Sequence, residues 1–126
     1  MLTKTEGLIL YWAEGTKYLD EKHPSYQVSV TNTDPKLLKA FVDWLEKYYK
    51  VDRKKIRLRL HLWKDVPEKP AKIYWSEKLI IPIENFTKSW IKPKGGRNRR
   101  HPHGVCRAAI SSKEIFYKII NAIEVL

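Results

Sequence analysis

The sequence predicts a single α+β domain, and three observations carry that expectation. The chain has 126 residues, which suits one domain, and 43% of them are apolar, enough for one core. Ile56 to Leu62 alternates strictly between apolar and polar residues, the period of a strand. Asp34-Pro35 opens a stretch with apolar residues at Leu38, Phe41, Val42 and Leu45, the period of a helix.

In chain order, the first element runs from about Thr3 to Gly15 as a helix. It is apolar at Leu8, Ile9, Leu10, Tyr11, Trp12 and Ala13, so it is expected to be buried or to pack on a partner. Thr3 and Glu6 have the spacing of a capping box. Gly15 is expected to end the helix in the left-handed conformation. Residues 16–25 read as a short strand and turn. Tyr26, Val28 and Val30 then alternate with Gln27, Ser29 and Thr31, which predicts a half-buried strand. Asp34 caps the next helix with Pro35 at its first position, and the helix reaches about Tyr49.

The strand over Ile56–Leu62 turns Ile56, Leu58, Leu60 and Leu62 one way and Arg57, Arg59 and His61 the other. A surface strand usually interleaves acids among such cations, and none lies between Lys54 and Lys64. Lys69 to Leu79 reads as a short helix with Ile73, Trp75 and Leu79 partly buried. Phe86 to Lys92 reads as a strand with Lys88, Trp90 and Lys92 on one face. The loop that follows, from Lys94 to Gly104, holds two adjacent glycines together with Lys94, Arg97, Arg99 and Arg100, and reads as a hairpin connection. Val105 to Ile110 is a strand with Arg107 and Ala109 on one side. Ser112 caps a final helix whose stripe is Ile115, Phe116, Ile119, Ile120 and Ile123.

The formal charge is +11, and its placement matters more than its size. Residues 1–50 hold seven lysines and seven acids; residues 86–126 hold nine basic residues and two acids. From Phe86 to Lys113 there are eight basic residues and no acid. A purely solubilising surface has no reason to exclude acids over such a length, whereas a phosphate-binding surface does. Nucleic acid is therefore the expected partner. The contacts fall to Arg57, Arg59, His61, Lys88, Lys92, Lys94, Arg97, Arg99, Arg100 and Arg107.

Other chemistries are poorly supported. His101-Pro-His103 with Cys106 lacks the second ligand pair of a zinc site. Cys106 is the only cysteine and reads as a small buried hydrophobe. There is no phosphate-binding glycine loop, dinucleotide fingerprint or nucleophile elbow. The longest apolar run, Leu8 to Ala13, is too short to cross a bilayer, and the first residues lack a signal-peptide layout, so a cytoplasmic location and no membrane partner are expected. The five tryptophans read mostly as core. Trp90 is singled out because it falls between Lys88 and Lys92, where an indole could stack on a base.

The string Gly7-Leu-Ile-Leu-Tyr-Trp-Ala-Glu-Gly15 resembles the signature helix of the LAGLIDADG homing endonucleases, matching at Leu10, Ala13 and Gly15, with Glu14 as the acid before the final glycine. The order of elements after it is also similar. The resemblance implies a curved antiparallel sheet, backed by helices, that lies on double-stranded DNA. It implies a homodimer in which two signature helices pack through Gly7, Leu10 and Tyr11. It implies Mg²⁺ held at Glu14 and Gly15, with Glu14 as the catalytic carboxylate of a DNA endonuclease. Leu8 and Ile9 stand where the family has small residues, and Trp12 where it has an earlier acid. No motif assigns the basic catalytic groups, for which Gln27, Arg59 and Lys88 have suitable chemistry. Two other readings stay open: a DNA-binding regulator of the same fold without cleavage, and an RNA-binding α/β module that uses Arg57, Arg59, Lys88, Trp90 and the loop.

Overall fold

The computed structural model describes residues 1–17, 25–93 and 102–126. Four helices and one four-stranded sheet form an α+β arrangement. The helices are α1 (Lys4–Glu14), α2 (Pro35–Tyr49), α3 (Glu68–Leu79) and α4 (Lys113–Glu124). The strands are β1 (Gln27–Asn32), β2 (Arg57–Trp63), β3 (Trp90–Lys92) and β4 (Val105–Ser111), in the spatial order β1-β4-β2-β3.

Local chemistry explains the helix starts. Thr3 accepts from the Glu6 amide at 3.1 Å while Glu6 accepts from the Thr3 amide at 2.9 Å, a closed capping box. Asp34 accepts from the Lys36 amide with Pro35 behind it, and Ser112 accepts from the Ile115 amide. Two helix ends differ from the glycine rule: α2 and α3 stop at Lys50 and Ile80, both left-handed without being glycine. Gly15 is not left-handed, contrary to expectation; its backbone is extended. Its reason for being glycine is space. A Cβ there would fall 2.2 Å from the Tyr11 ring and 2.6 Å from the Tyr11 carbonyl.

The sheet is mixed, which corrects the expected antiparallel one. β1 with β4 and β4 with β2 are antiparallel, but β2 and β3 are parallel. The cause is α3, which crosses from the end of β2 back to the level where β3 begins, as a parallel connection requires. The expected hairpin between β3 and β4 is corrected as well, since these strands lie on opposite sides of β2. The expected strand over Phe86–Lys92 is shorter. Only Trp90–Lys92 pairs continuously, after a single bridge from Phe86 to Leu58. The preceding turn is held by Asn85, whose buried amide donates to the carbonyls of Arg53, Lys54 and Ile56.

One sheet face is apolar and carries Val28, Val30, Leu58, Leu60, Leu62, Cys106, Ala108 and Ile110, all buried. α1, α2 and α4 contact β1, and α3 packs on α2. Leu38, Phe41, Val42, Trp44 and Leu45 of α2 supply the centre of the core, joined by Trp75 and Leu79 of α3 and by Phe116 and Ile119 of α4. Ile73, expected to be partly buried, faces outward on α3. No helix among the described residues is long and apolar enough to cross a membrane.

Candidate nucleic-acid interface

The opposite sheet face is polar, and pairing register arranges it in rows. Thr31 lies beside Arg107, and Arg107 beside Arg59. Ser29, Ala109 and Arg57 form the neighbouring row. Val105, His61 and Trp90 form the next, on the β3 side. Trp63 and Lys92 pair beyond it. Alternation along β2 puts Arg57, Arg59, His61 and Trp63 on this one side, and alternation along β4 adds Arg107.

The electrostatics of these residues differ from those elsewhere in the chain. On the helical side, several cations are paired with acids. Arg53 bonds Asp43 and reaches Glu46 at 2.9 Å, Lys72 reaches Glu68 at 2.9 Å, and Lys118 reaches Glu114 at 2.8 Å. Burial works against the Asp43 charge, but hydrogen bonds from Arg53 and Lys39 outweigh it and hold the carboxyl below the usual range. On the sheet face the neighbours are like charges. Partial burial and the Arg59 guanidinium both push the Arg107 pKa down. Partial burial, Arg59 and Arg107 together push His61 down. No acid forms an ion pair with Arg57, Arg59 or Arg107 among the described residues.

Two depressions mark this face. One, of about 120 Å³, is lined by Gln27, Arg57, Arg59, Thr87, Arg107 and Ala109. The other, of about 180 Å³, is lined by His61, Leu62, Trp63, Trp90, Lys92 and Val105. Lys92 holds its Nζ 4.5 Å from the centre of the Trp63 ring. Arg57 also donates to the Lys54 carbonyl at 2.8 Å, which steadies its guanidinium.

The structure thus brings Arg57, Arg59, His61, Lys92 and Arg107 onto one face. Lys88 is exposed on the segment before β3 and lines neither depression. Lys94, Arg97, Arg99 and Arg100 lie outside the described residues. Trp90 is 48% exposed, so it belongs to this surface and not to the core. Trp63 and Thr87 were not legible as surface residues. The parity of Trp63 with Arg59 and His61 was the available signal for the first; Thr87 had none.

The residues of α1 are placed differently from their expected dimer roles. Gly7 and Tyr11 face into the core of their own chain. Gly7 lies against the Trp44 indole, which donates to the Lys4 carbonyl at 3.1 Å. Tyr11 is fully buried, stacks on Phe41 and donates to the Thr16 carbonyl; burial pushes its phenol up to about 12, so it remains a donor. A stripe at spacing of four on an amphipathic helix served the nearest core, here α2. Leu10 is half-buried, while Ile9 and Trp12 are 52% and 55% exposed. Glu14 is exposed at the end of α1, and the antiparallel bridge from Gly15 to Val30 sets it level with Thr31 at the β1 edge. Thr16 continues that pairing through its amide to the Ser29 carbonyl, 3.0 Å, and through a 2.7 Å contact between the two hydroxyls.

His103 stacks on Tyr74 with ring centres 3.7 Å apart, and its carbonyl accepts from Trp75 Nε1. Cys106 is fully buried, and burial pushes its thiol pKa up. Among the described residues no three His, Cys, Asp or Glu side chains converge as metal ligands.

The fold and this surface define an α+β domain with a cationic sheet face whose Arg57, Arg59 and Arg107 have no ion-pair partner among the described residues. No family model matches the chain, and no curated protein or solved structure matches it.

Proposed function

We propose that the chain binds double-stranded DNA by laying its exposed sheet face on the phosphate backbone. The observation that supports this most directly is the Arg59–Arg107 pair. Two guanidiniums stand side by side, flanked by Arg57 and His61, with mutual repulsion and, among the described residues, no acid paired with either. Such an arrangement costs stability in the free protein and is relieved by a polyanion. Titration of duplex DNA at several salt concentrations tests it. Binding weakens steeply with salt, and Arg59→Ala and Arg107→Ala each lower the salt slope by about 1. Undetectable duplex binding at low salt, or slopes unchanged by both substitutions, overturns the reading.

The likeness of Gly7–Gly15 to the LAGLIDADG signature helix supports a more specific form: a homodimeric, Mg²⁺-dependent DNA endonuclease. Its support here is the exposed apolar side of α1, Ile9 and Trp12, with Glu14 exposed at the same end of the helix. Because Gly7 and Tyr11 are used inside the protomer, the dimer contact in this reading runs over Ile9, Trp12 and Leu10. One Glu14 carboxylate does not make a metal site. Mg²⁺ takes six oxygens and commonly one or two carboxylates plus phosphate oxygens, so the donor set fits only where two copies meet on DNA. Mg²⁺-dependent nicking of supercoiled plasmid by wild type, abolished in Glu14→Gln, is the expected result. If both proteins leave a range of targets intact while still binding duplex, the chain is a DNA-binding regulator without cleavage.

A further inference from the structure

On its β3 side the cationic face ends in the second, different depression. Its 180 Å³ is smaller than the roughly 300–1,000 Å³ of a site for a drug-sized molecule, so it suits a single planar ring system. Its walls are largely carbon: the indoles of Trp63 and Trp90, with Leu62 and Val105. His61 meets Trp90 edge-on, with centres 5.7 Å apart, and limits the tilt of that indole. Lys92 stands over Trp63 and places a positive charge at the rim. Arg59, two residues before His61 on β2, and Arg107 beside it on β4 continue the positive field.

An aromatic slot continuous with a row of guanidiniums selects a flat ring tethered to an anion. A nucleobase on its own phosphate backbone has that chemistry. Burial and both arginines lower the His61 pKa and so favour the neutral imidazole, which offers one donor and one acceptor to a base edge.

We propose that the slot between Trp63 and Trp90 accepts one unstacked nucleobase while Arg59 and Arg107 hold neighbouring phosphates. This rests on the sheet face being a nucleic-acid surface, and it specifies the target as duplex DNA carrying an extrahelical base. In a fully paired duplex both faces of each base are covered by its neighbours and the slot stays unused. A bulged base costs least to unstack, so it is selected.

The test uses one sequence in three forms at fixed salt: a paired duplex, the same duplex with a single bulged 2-aminopurine, and the single strand. The bulged duplex is expected to bind roughly five- to a hundredfold tighter than the paired one. The 2-aminopurine emission falls on binding as the base stacks on indole. Trp90→Ala removes the preference, so that bulged and paired duplexes bind alike, while Trp90→Phe keeps most of it. Equal binding of paired and bulged duplexes, both weakened by Arg59→Ala, overturns the slot and leaves the sheet-face reading standing. Binding of the single strand as tightly as the bulged duplex overturns the duplex target. No binding to any form overturns both. Should Trp90→Ala lose its cooperative melt, the wild-type emission decides: an unquenched bulged base overturns the proposal.

Discussion

Arg59 and Arg107 stand directly opposite one another across the antiparallel pairing of β2 with β4, on the side of the sheet turned away from the core. Directly opposed residues are the closest cross-strand neighbours, and like charges there are destabilising by about 0.2–1 kcal/mol. A protein that needed only solubility would gain by separating them.

That relationship sets stability against binding. Arg59→Thr puts a good strand former in place of one charge. The free protein is expected to gain about 0.5 kcal/mol, seen as a Tm higher by a few degrees, while duplex affinity falls. Thermal melts and a DNA titration on the same preparation check both signs. A lower Tm with unchanged affinity would show that the pair is held for structural reasons.

The same field gives a pH dependence. His61 has a lowered pKa because of partial burial, Arg59 and Arg107. Between that depressed value and the ordinary value of about 6.5, the unfolded chain binds more protons than the folded one. His61 therefore makes stability fall as pH drops through this window and recover as pH rises above it. A bound phosphate raises the imidazole pKa instead, so DNA binding takes up a proton and strengthens as pH falls through the same window. His61→Gln is expected to flatten both profiles, measured by denaturant midpoints and by affinity between pH 5 and 8. Wild-type and His61→Gln profiles that superimpose would remove His61 from the account.

Gly7 separates two roles for α1. A Cβ at this position would fall 2.0 Å from Trp44 Nε1, and Trp44 is fully buried. Alanine would gain about 1 kcal/mol in helix propensity, but overpacking typically costs 1–3 kcal/mol and here meets a large rigid ring. Gly7→Ala is expected to lose about 2 kcal/mol of stability, read from the denaturant midpoint. Unchanged stability with an altered oligomeric state would return Gly7 to a subunit contact.

Much of the fold was legible because its causes are local. The box at Thr3 and Glu6, the cap at Asp34 with Pro35, and the cap at Ser112 use residues within four positions of each other, and all three helices begin there. Two misplaced features have non-local causes: Gly7 is required by an indole from α2, and the short β3 by a register that only the α3 crossover establishes.

The alternation from Ile56 to Leu62 was enough, alone, to determine that Arg57, Arg59 and His61 share one face, because neighbouring side chains of a strand point to opposite sides. The concentration of charge in the second half likewise followed from composition. Which cations become neighbours was decided by the tertiary structure. Arg107 meets Arg59, and Trp90 meets His61, because burying Leu58, Leu60, Cys106, Ala108 and Ile110 against the helices sets the register of strands distant in the chain. A slip of one residue would send every one of those side chains to the opposite face.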